Sequence, residues 1–207
     1  IYATTTDDGD QLNWRLVGML PEPLAYGVTV TYDNSMIVVG GMNNDGSRGA
    51  VYRVKIVDGK AEVSTLPSLP CTADNMAGAL VGRHLYIAGG AMDGKASNRV
   101  LRLDLDNLSA GWQDVKPFPG MARVQPVAGS MGDNRFCLFG GFAPAGNGEE
   151  AKLAMDGCIY DETTDEWQVV EGPKDDMNQP LFVGGGAAIN LCSDQLLVMG
   201  GVNKDVF

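Results

Sequence analysis

The sequence predicts an all-β protein with the architecture of a β-propeller made of four-stranded antiparallel blades. Glycine accounts for 28 of the 207 residues, about twice its usual share of roughly 7%. Four short apolar runs each end in a Gly-Gly doublet. The first glycines of these doublets are residues 40, 89, 140 and 200, so they are spaced by 49, 51 and 60 residues. One β unit that recurs about every 50 residues is typical of propellers.

Each unit carries the pattern of up to four strands. A first strand rich in small residues leads into the strand that ends in the doublet, as in MAGALV followed by HLYIAGG. A third strand follows in the first three units (AVYRVKI, NRVLRLDL and DGCIYDE), and a fourth carries tryptophan in GWQDV and EWQVV. Small residues suit the strand nearest the axis, where blades crowd, and the doublet requires backbone angles that a Cβ disfavours. The tryptophan is expected to anchor the outer strand against the next blade. These features are typical of kelch repeats.

The repeat predicts one incomplete kelch domain over residues 1–207. Its expected units are 1–20 (partial), 21–66, 67–116, 117–171 and 172–207 (partial), which gives about four blades, three of them whole. Trp14 lies in a predicted fourth strand whose first three strands come from upstream or elsewhere. An open arc would expose large apolar faces. We therefore expect a six-bladed propeller in the complete protein, with about two more blades that lie mostly after Phe207.

Composition argues against several classes of partner and cofactor. The net charge is −11, which disfavours a nucleic-acid partner because phosphate contacts need clustered Lys and Arg. We expect no membrane span and no cofactor, since neither a long apolar run nor a phosphate or dinucleotide motif is present. The chain has four cysteines and a single histidine, His84, so we expect no metal site. The cysteines are interpreted as buried thiols, with a Cys137–Cys158 disulfide as the alternative.

The strand order predicts where a site must lie. The loop that enters the first strand and the loop that leaves the second open on the same face of the propeller, so eight such loops surround one mouth. Loops on a rigid scaffold are where function concentrates. Arg123 and Asn75 lie in short entering loops close to the axis, and we expect their side chains to reach the funnel. His84 begins a second strand and is expected on the opposite face.

Several strings resemble a narrower family. LAYGVTVTYDNSMIVVGG, TLPSLPCTADNMAGAL, FPGMARVQPVAG and MGGVNKDVF are similar to the cyclically permuted mutarotases, which are related to bacterial N-acetylneuraminate epimerase. The resemblance implies a kelch propeller that interconverts the anomers of free sialic acid, a bacterial source and export to the periplasm. The family's catalytic glutamate and arginine are expected beyond Phe207, so the resemblance places no catalytic residue in this chain. It implies a funnel wall formed by Arg123, Asn203, Tyr26, Asn43 and Asn75.

The substrate suggests roles for these side chains. Mutarotation needs a base for the anomeric hydroxyl and an acid for the ring oxygen. Arg123 is the candidate for holding the carboxylate of the sugar through its planar fork, and Asn75, Gln125 and Asn203 are candidates for orienting hydroxyls. The alternative is a non-catalytic kelch module that binds a glycan or a protein at the same mouth. An oxidase of the galactose-oxidase kind would need metal ligands from outside this sequence.

Overall fold

The computed structural model describes residues 1–4, 12–146, 148–192 and 195–201. Within these ranges the regular structure is β, apart from one turn of 3₁₀ helix at Leu108–Ala110, which confirms the all-β prediction. The strands in chain order are β1 (Tyr2–Ala3), β2 (Arg15–Leu16), β3 (Val28–Tyr32), β4 (Ser35–Asn43), β5 (Gly46–Val57), β6 (Lys60–Thr65), β7 (Ala73–Asp74), β8 (Ala77–Val81), β9 (His84–Ala88), β10 (Ala91–Met92), β11 (Lys95–Ala96), β12 (Val100–Asp104), β13 (Trp112–Val115), β14 (Val127–Met131), β15 (Arg135–Phe139), β16 (Phe142–Ala143), β17 (Lys152–Leu153), β18 (Asp156–Asp161), β19 (Glu166–Glu171), β20 (Ala187–Cys192) and β21 (Gln195–Met199).

The strands form the repeated four-stranded sheets that the sequence predicts. We call the sheet β3-β4-β5-β6 blade 1, the sheet β8-β9-β12-β13 blade 2 and the sheet β14-β15-β18-β19 blade 3. Every pairing within them is antiparallel. The hairpin β20-β21 begins blade 4, and β1 pairs with β2 near the start of the chain. Because fourth strands pair with third strands in the complete blades, the unit of Trp14 also has its third strand, β1, in this chain. This corrects the expectation that all of the first three strands of that unit lie upstream or elsewhere.

The hydrophobic core lies between blades rather than inside one. One cluster joins β3, β4 and β5 of blade 1 to β9 and β12 of blade 2, and a second joins blade 2 to blade 3 through stacked Tyr86 and Phe136. First strands of neighbouring blades meet closely, since a Cβ added at Gly78 would lie 2.8 Å from the Val28 side chain. No blade can bury both faces alone, so each depends on its neighbours.

The glycine doublet fits two close backbone contacts, as blade 3 illustrates. A Cβ at Gly140 would lie 1.9 Å from the carbonyl oxygen of Val183, in the loop that enters blade 4. A Cβ at Gly141 would lie 2.7 Å from the carbonyl oxygen of Val124, in the loop that enters blade 3 itself. Both glycines have positive φ, +60° and +81°. The missing side chain of the first glycine therefore leaves room for the loop that enters the next blade. The missing side chain of the second glycine leaves room for the loop that enters its own blade.

The tryptophans of the fourth strands hold the preceding blade, not the next one. Trp112 Nε1 donates to the carbonyl of Pro67, and Trp167 Nε1 donates to the carbonyl of Lys116, both at 2.8 Å. Each acceptor lies in the segment that joins the preceding blade to the tryptophan's own blade. The prediction that the tryptophan anchors the outer strand against the next blade is therefore wrong. The linker from the preceding blade runs beside the fourth strand of the blade that it enters, and the tryptophan bonds to that linker.

Cys71, Cys137 and Cys158 are buried, which confirms the interpretation as buried thiols for these three, whereas Cys192 is exposed and departs from it. Cys137 lies opposite Ile159 and Cys158 lies opposite Leu138, so the two sulphurs are on opposite faces of blade 3. Both residues are fully buried and neither forms a disulfide, so the alternative pairing is wrong. Burial raises the pKa of each of these thiols to about 11.

Among the described residues, no helix has the length and apolar character that a membrane crossing requires.

Candidate functional site

One residue of each entering loop occupies the same left-handed conformation. These residues, which we call the axial residues, are Tyr26, Asn75, Gln125 and Gly185, with φ of 59°, 51°, 52° and 66°. Backbone hydrogen bonds connect them from blade to blade. Asn75 N donates to Tyr26 O at 2.9 Å, Gln125 N to Asn75 O at 2.7 Å and Gly185 N to Gln125 O at 2.9 Å. The four loops therefore form a continuous arc around the axis.

The axial residues line a cavity of about 500 Å³, within the size range of small-molecule sites. We call it the axial cavity. Among the described residues its wall contains no charged side chain, and its polar groups come from Tyr26, Asn75 and Gln125. Three of the six predicted binding residues are thus brought together. The described part of the wall is formed by Tyr26, Gly27, Asn75, Met76, Gln125, Pro126, Gly184, Gly185, Gly186 and Gly201.

Two of the axial side chains bond to each other and to a buried carboxylate. Gln125 Nε2 donates to Asn75 Oδ1 at 3.2 Å, and Asn75 Nδ2 donates to Asp74 Oδ1 at 2.6 Å. The second oxygen of Asp74 accepts a hydrogen bond from the Ser47 hydroxyl of blade 1. The amides of the cavity wall are therefore held from behind by a carboxylate that is 6% exposed.

Arg123 lies elsewhere than the sequence predicts. Its side chain is 1% exposed and is absent from the wall of the axial cavity. Nη1 and Nη2 bind the two oxygens of Asp156 at 2.9 and 3.2 Å, Nη1 also donates to Gly140 O at 3.1 Å, and Nε donates to Met121 O at 3.2 Å. The guanidinium also lies 5.2 Å from the centre of the Phe118 ring. A substrate carboxylate would have to displace Asp156 to reach this fork.

The reason is the position of Arg123 two residues before an axial residue. The equivalent residue of the blade 2 loop is Ala73, which is fully buried, and Val183 is its equivalent before blade 4. Val183 and Leu24, the equivalent residue before blade 1, are half-buried, and none of these residues belongs to the wall of the axial cavity. The predicted placement of Arg123 on the funnel wall is corrected to a buried brace within blade 3.

Asn43 is also absent from the wall of the axial cavity. Asn43 Nδ2 donates to Glu22 Oε2 at 3.2 Å, and its Oδ1 caps the N–H of Asp45 at 2.9 Å in the turn between β4 and β5. It therefore stabilises a hairpin in place of reaching the axis, which corrects its predicted position. Asn203 lies outside the described residues, and its role stays a prediction.

Glu22 is a polar hub that sequence reasoning missed. Its carboxylate accepts hydrogen bonds from Asn43, from Arg48 Nε at 3.0 Å and from the Tyr52 hydroxyl at 2.9 Å. Burial, with the hydrogen bond to Glu22 next in importance, raises the pKa of Tyr52. No sequence signal marks Glu22, because its three partners come from a hairpin more than 20 residues away.

His84 lies at the end of the blades opposite the glycine doublets, as predicted. Its Nδ1 contacts Glu162 Oε1, which also accepts a hydrogen bond from the Tyr86 hydroxyl at 2.8 Å and pairs with Arg102 at 3.5 Å. Burial, followed by the bond to Glu162, raises the pKa of Tyr86. These contacts join blade 2 to blade 3 and are far from the axial cavity along the strands.

Comparison with known proteins identifies the family to which the chain is similar. The family model described as N-acetylneuraminate epimerase matches residues 66–207. The N-acetylneuraminate epimerase of Yersinia enterocolitica is 32% identical over 148 residues, which cover 71% of this chain and 35% of that protein. A kelch domain-containing protein of Vibrio cholerae is 29% identical, over 69% of this chain and 37% of the relative. The chain thus spans about a third of the length of the curated relatives it matches.

The fold agrees with a solved structure as well. The structure of YjhT superposes with a TM-score of 0.72 at 14% sequence identity, and the match covers 92% of this chain and 66% of that chain. At such low identity the similarity shows the fold alone. Together with the repeated sheets and the doublets it confirms a kelch β-propeller, and the number of blades in the complete protein stays a prediction. By the family match over residues 66–207, the chain belongs to the N-acetylneuraminate epimerase family.

Proposed function

We propose that the protein of which this chain is part interconverts the α and β anomers of free N-acetylneuraminate, and that the axial cavity is where the sugar binds. The observation that carries this proposal is the cavity itself, in which equivalent residues of successive blades bring hydrogen-bonding side chains to one axial site. The names of the relatives support the choice of sugar. The periplasm stays the predicted location.

The chemistry divides between orientation and proton transfer. Mutarotation opens the ring at the anomeric carbon and closes it on the other face, so one group removes the anomeric hydroxyl proton and another protonates the ring oxygen. Positioned acid and base groups typically contribute about 10²- to 10⁴-fold. The described cavity wall offers amides and a phenol without a carboxylate or a cation. It suits the orientation of hydroxyls, and we expect the acid and base to come from outside this described wall.

The second candidate is a non-catalytic kelch propeller that binds a glycan at the same cavity. It is favoured by the same observation, the uncharged described wall, because hydrogen bonds without acid–base groups bind a sugar but do not open its ring. Propellers host both kinds of function.

The experiment is NMR of freshly released α-N-acetylneuraminate with the full-length protein. We expect the α signal to convert to β faster than in buffer, and we expect Gln125→Leu to slow this conversion because it removes a polar group of the cavity wall. Asn134→Ala is the matched control, since Asn134 bonds to Asp161 and Thr163 in a turn away from the cavity. Binding without faster conversion would select the glycan-binding module, and neither binding nor conversion would refute both.

A further inference from the structure

Asp74 is a buried carboxylate that touches the axial side chains without lining the cavity. It is 6% exposed, and within the described part of the chain its oxygens contact only the Ser47 hydroxyl and the Asn75 amide, with no Lys or Arg in an ion pair. Burying a carboxylate is costly unless hydrogen bonds compensate for the lost water. Asp74 therefore requires a donor on each oxygen.

This requirement fixes the orientation of two amides in turn. A carboxylate only accepts hydrogen bonds, so Asn75 must direct its NH₂ group towards Asp74. That leaves Asn75 Oδ1 facing Gln125. Gln125 must therefore donate from its own NH₂ group, and the distance from Gln125 Nε2 to Asn75 Oδ1 is 3.2 Å. Gln125 Oε1 is then the end of the chain of bonds, directed away from Asn75.

Gln125 Oε1 points to the gap at Gly185. A Cβ built on Gly185 would lie 3.5 Å from Gln125 Oε1 and 3.9 Å from its Cδ, so the oxygen is the nearer atom. Gly185 lines the axial cavity and has no side chain to cover this oxygen. Within the described part of the chain Oε1 accepts no hydrogen bond. An unoccupied acceptor thus faces the cavity.

We propose that Asp74 is a positioning residue that acts through Asn75 to present Gln125 Oε1 to the axial cavity. The part of the cavity next to Gly185 then binds a hydrogen-bond donor, a hydroxyl or an acetamido N–H of the sugar, and rejects a carboxylate, which also only accepts. The choice of sugar rests on the proposed function, while the orientation of the amides does not.

A reversal of the relay tests this assignment. In Asp74→Asn the buried group can donate, so Asn75 is free to turn and Gln125 can present its NH₂ group instead. In Gln125→Glu the new carboxylate meets Asn75 Oδ1, which is acceptor against acceptor. In the double variant the new amide donates to Asn75 Oδ1, Asn75 Nδ2 donates to the new carboxylate, and the second oxygen of that carboxylate faces the cavity as an acceptor again.

The measurement is calorimetric binding of N-acetylneuraminate to the full-length protein, together with the urea midpoint of each variant. We expect each single substitution to weaken binding about tenfold, the value of one hydrogen bond, and the double variant to bind more tightly than either. N-acetylmannosamine, an uncharged acetamido sugar, serves as the second probe, because it separates charge repulsion at position 125 from loss of the relay.

Two results would overturn the proposal. One is a double variant whose losses in affinity and in urea midpoint are the sum of the single losses. The other is unchanged affinity in Gln125→Met, which removes the oxygen without adding charge and serves if Asp74→Asn does not fold. If the wild type binds neither sugar but the urea midpoint of the double variant is higher than the sum of the single losses predicts, the proposed function fails and the relay stands.

Discussion

Replacing Arg123 by alanine distinguishes two roles for its side chain, a structural brace and a contact with the ligand. The side chain is 1% exposed and makes four hydrogen bonds, two to Asp156 and two to the carbonyls of Gly140 and Met121. Removing one partner of a buried ion pair costs about 3–5 kcal/mol, and a buried carbonyl left without its donor costs about 1–3 kcal/mol. The Asp156 side chain is 37% exposed, so water compensates part of this loss. For Arg123→Ala we expect a free energy of unfolding lower by about 3 kcal/mol.

Urea unfolding followed by tryptophan fluorescence measures this change. With a denaturant slope of about 2–3 kcal/mol/M, the midpoint should fall by about 1 M. The control is Arg99→Ala, because Arg99 pairs with Asp114 at the surface, where both side chains are at least 35% exposed. Exposed pairs contribute about 0–1 kcal/mol, so this midpoint should move little.

The same variant decides whether Arg123 holds the sugar. A brace predicts that folded Arg123→Ala binds N-acetylneuraminate with nearly unchanged affinity, because the guanidinium lies behind Asp156 and not on the cavity wall. An unchanged urea midpoint combined with clearly weaker binding would refute this reasoning and restore the role that the sequence suggests.

Three other perturbations follow from the packing of the blades. Gly140→Ala should cost about 3 kcal/mol, because a left-handed penalty of about 1–2 kcal/mol at φ +60° adds to about 1–3 kcal/mol for the clash of its Cβ with the next entering loop. Gly94→Ala, at φ +76° with open space around it, should cost only the left-handed penalty, and urea midpoints compare the two variants. Cys137 and Cys158, whose thiol pKa is about 11, should resist iodoacetamide at pH 8 until the protein unfolds, and peptide mass spectrometry would detect early labelling that contradicts this. Trp167→Phe removes the 2.8 Å hydrogen bond to the linker and should lower the free energy of unfolding by about 1 kcal/mol. An unchanged urea midpoint would show that this bond contributes nothing to stability.

The repeat was predictable because local chemistry specifies it. Doublets end second strands wherever a left-handed backbone and close approach leave no room for a Cβ, and first strands use small residues because neighbouring first strands touch. The direction of the tryptophan anchor was not predictable from these signals. It depends on which linker passes under the fourth strand, and a strand pattern alone does not contain that information.

Individual side chains in the loops were harder to place than the loops themselves. Arg123 and Gln125 are two residues apart in one loop, yet one is buried and the other lines the cavity. Alternation along an extended strand would put both on the same side. The left-handed residue at 125 breaks this alternation, and glutamine has no special preference for that conformation that could announce it. Asn43, by contrast, is an ordinary turn-capping asparagine, which its neighbour Asp45 and the following glycine could have indicated.

The axial residues could nevertheless have been found by counting. Each stands 14 or 15 residues before the first glycine of its doublet. This distance is constrained because the second glycine lies close to the residue just before the axial one, since a Cβ added at Gly41 would lie 2.6 Å from Ala25 O. The count identifies the wall of the cavity but not what holds it. The burial of Asp74 depends on Ser47, which another blade supplies through a hairpin turn of its own. The repeated backbone therefore determines the position of the axial cavity. The orientation of the polar groups on its wall depends instead on side-chain contacts between blades, such as that of Asp74 with Ser47, and these do not repeat.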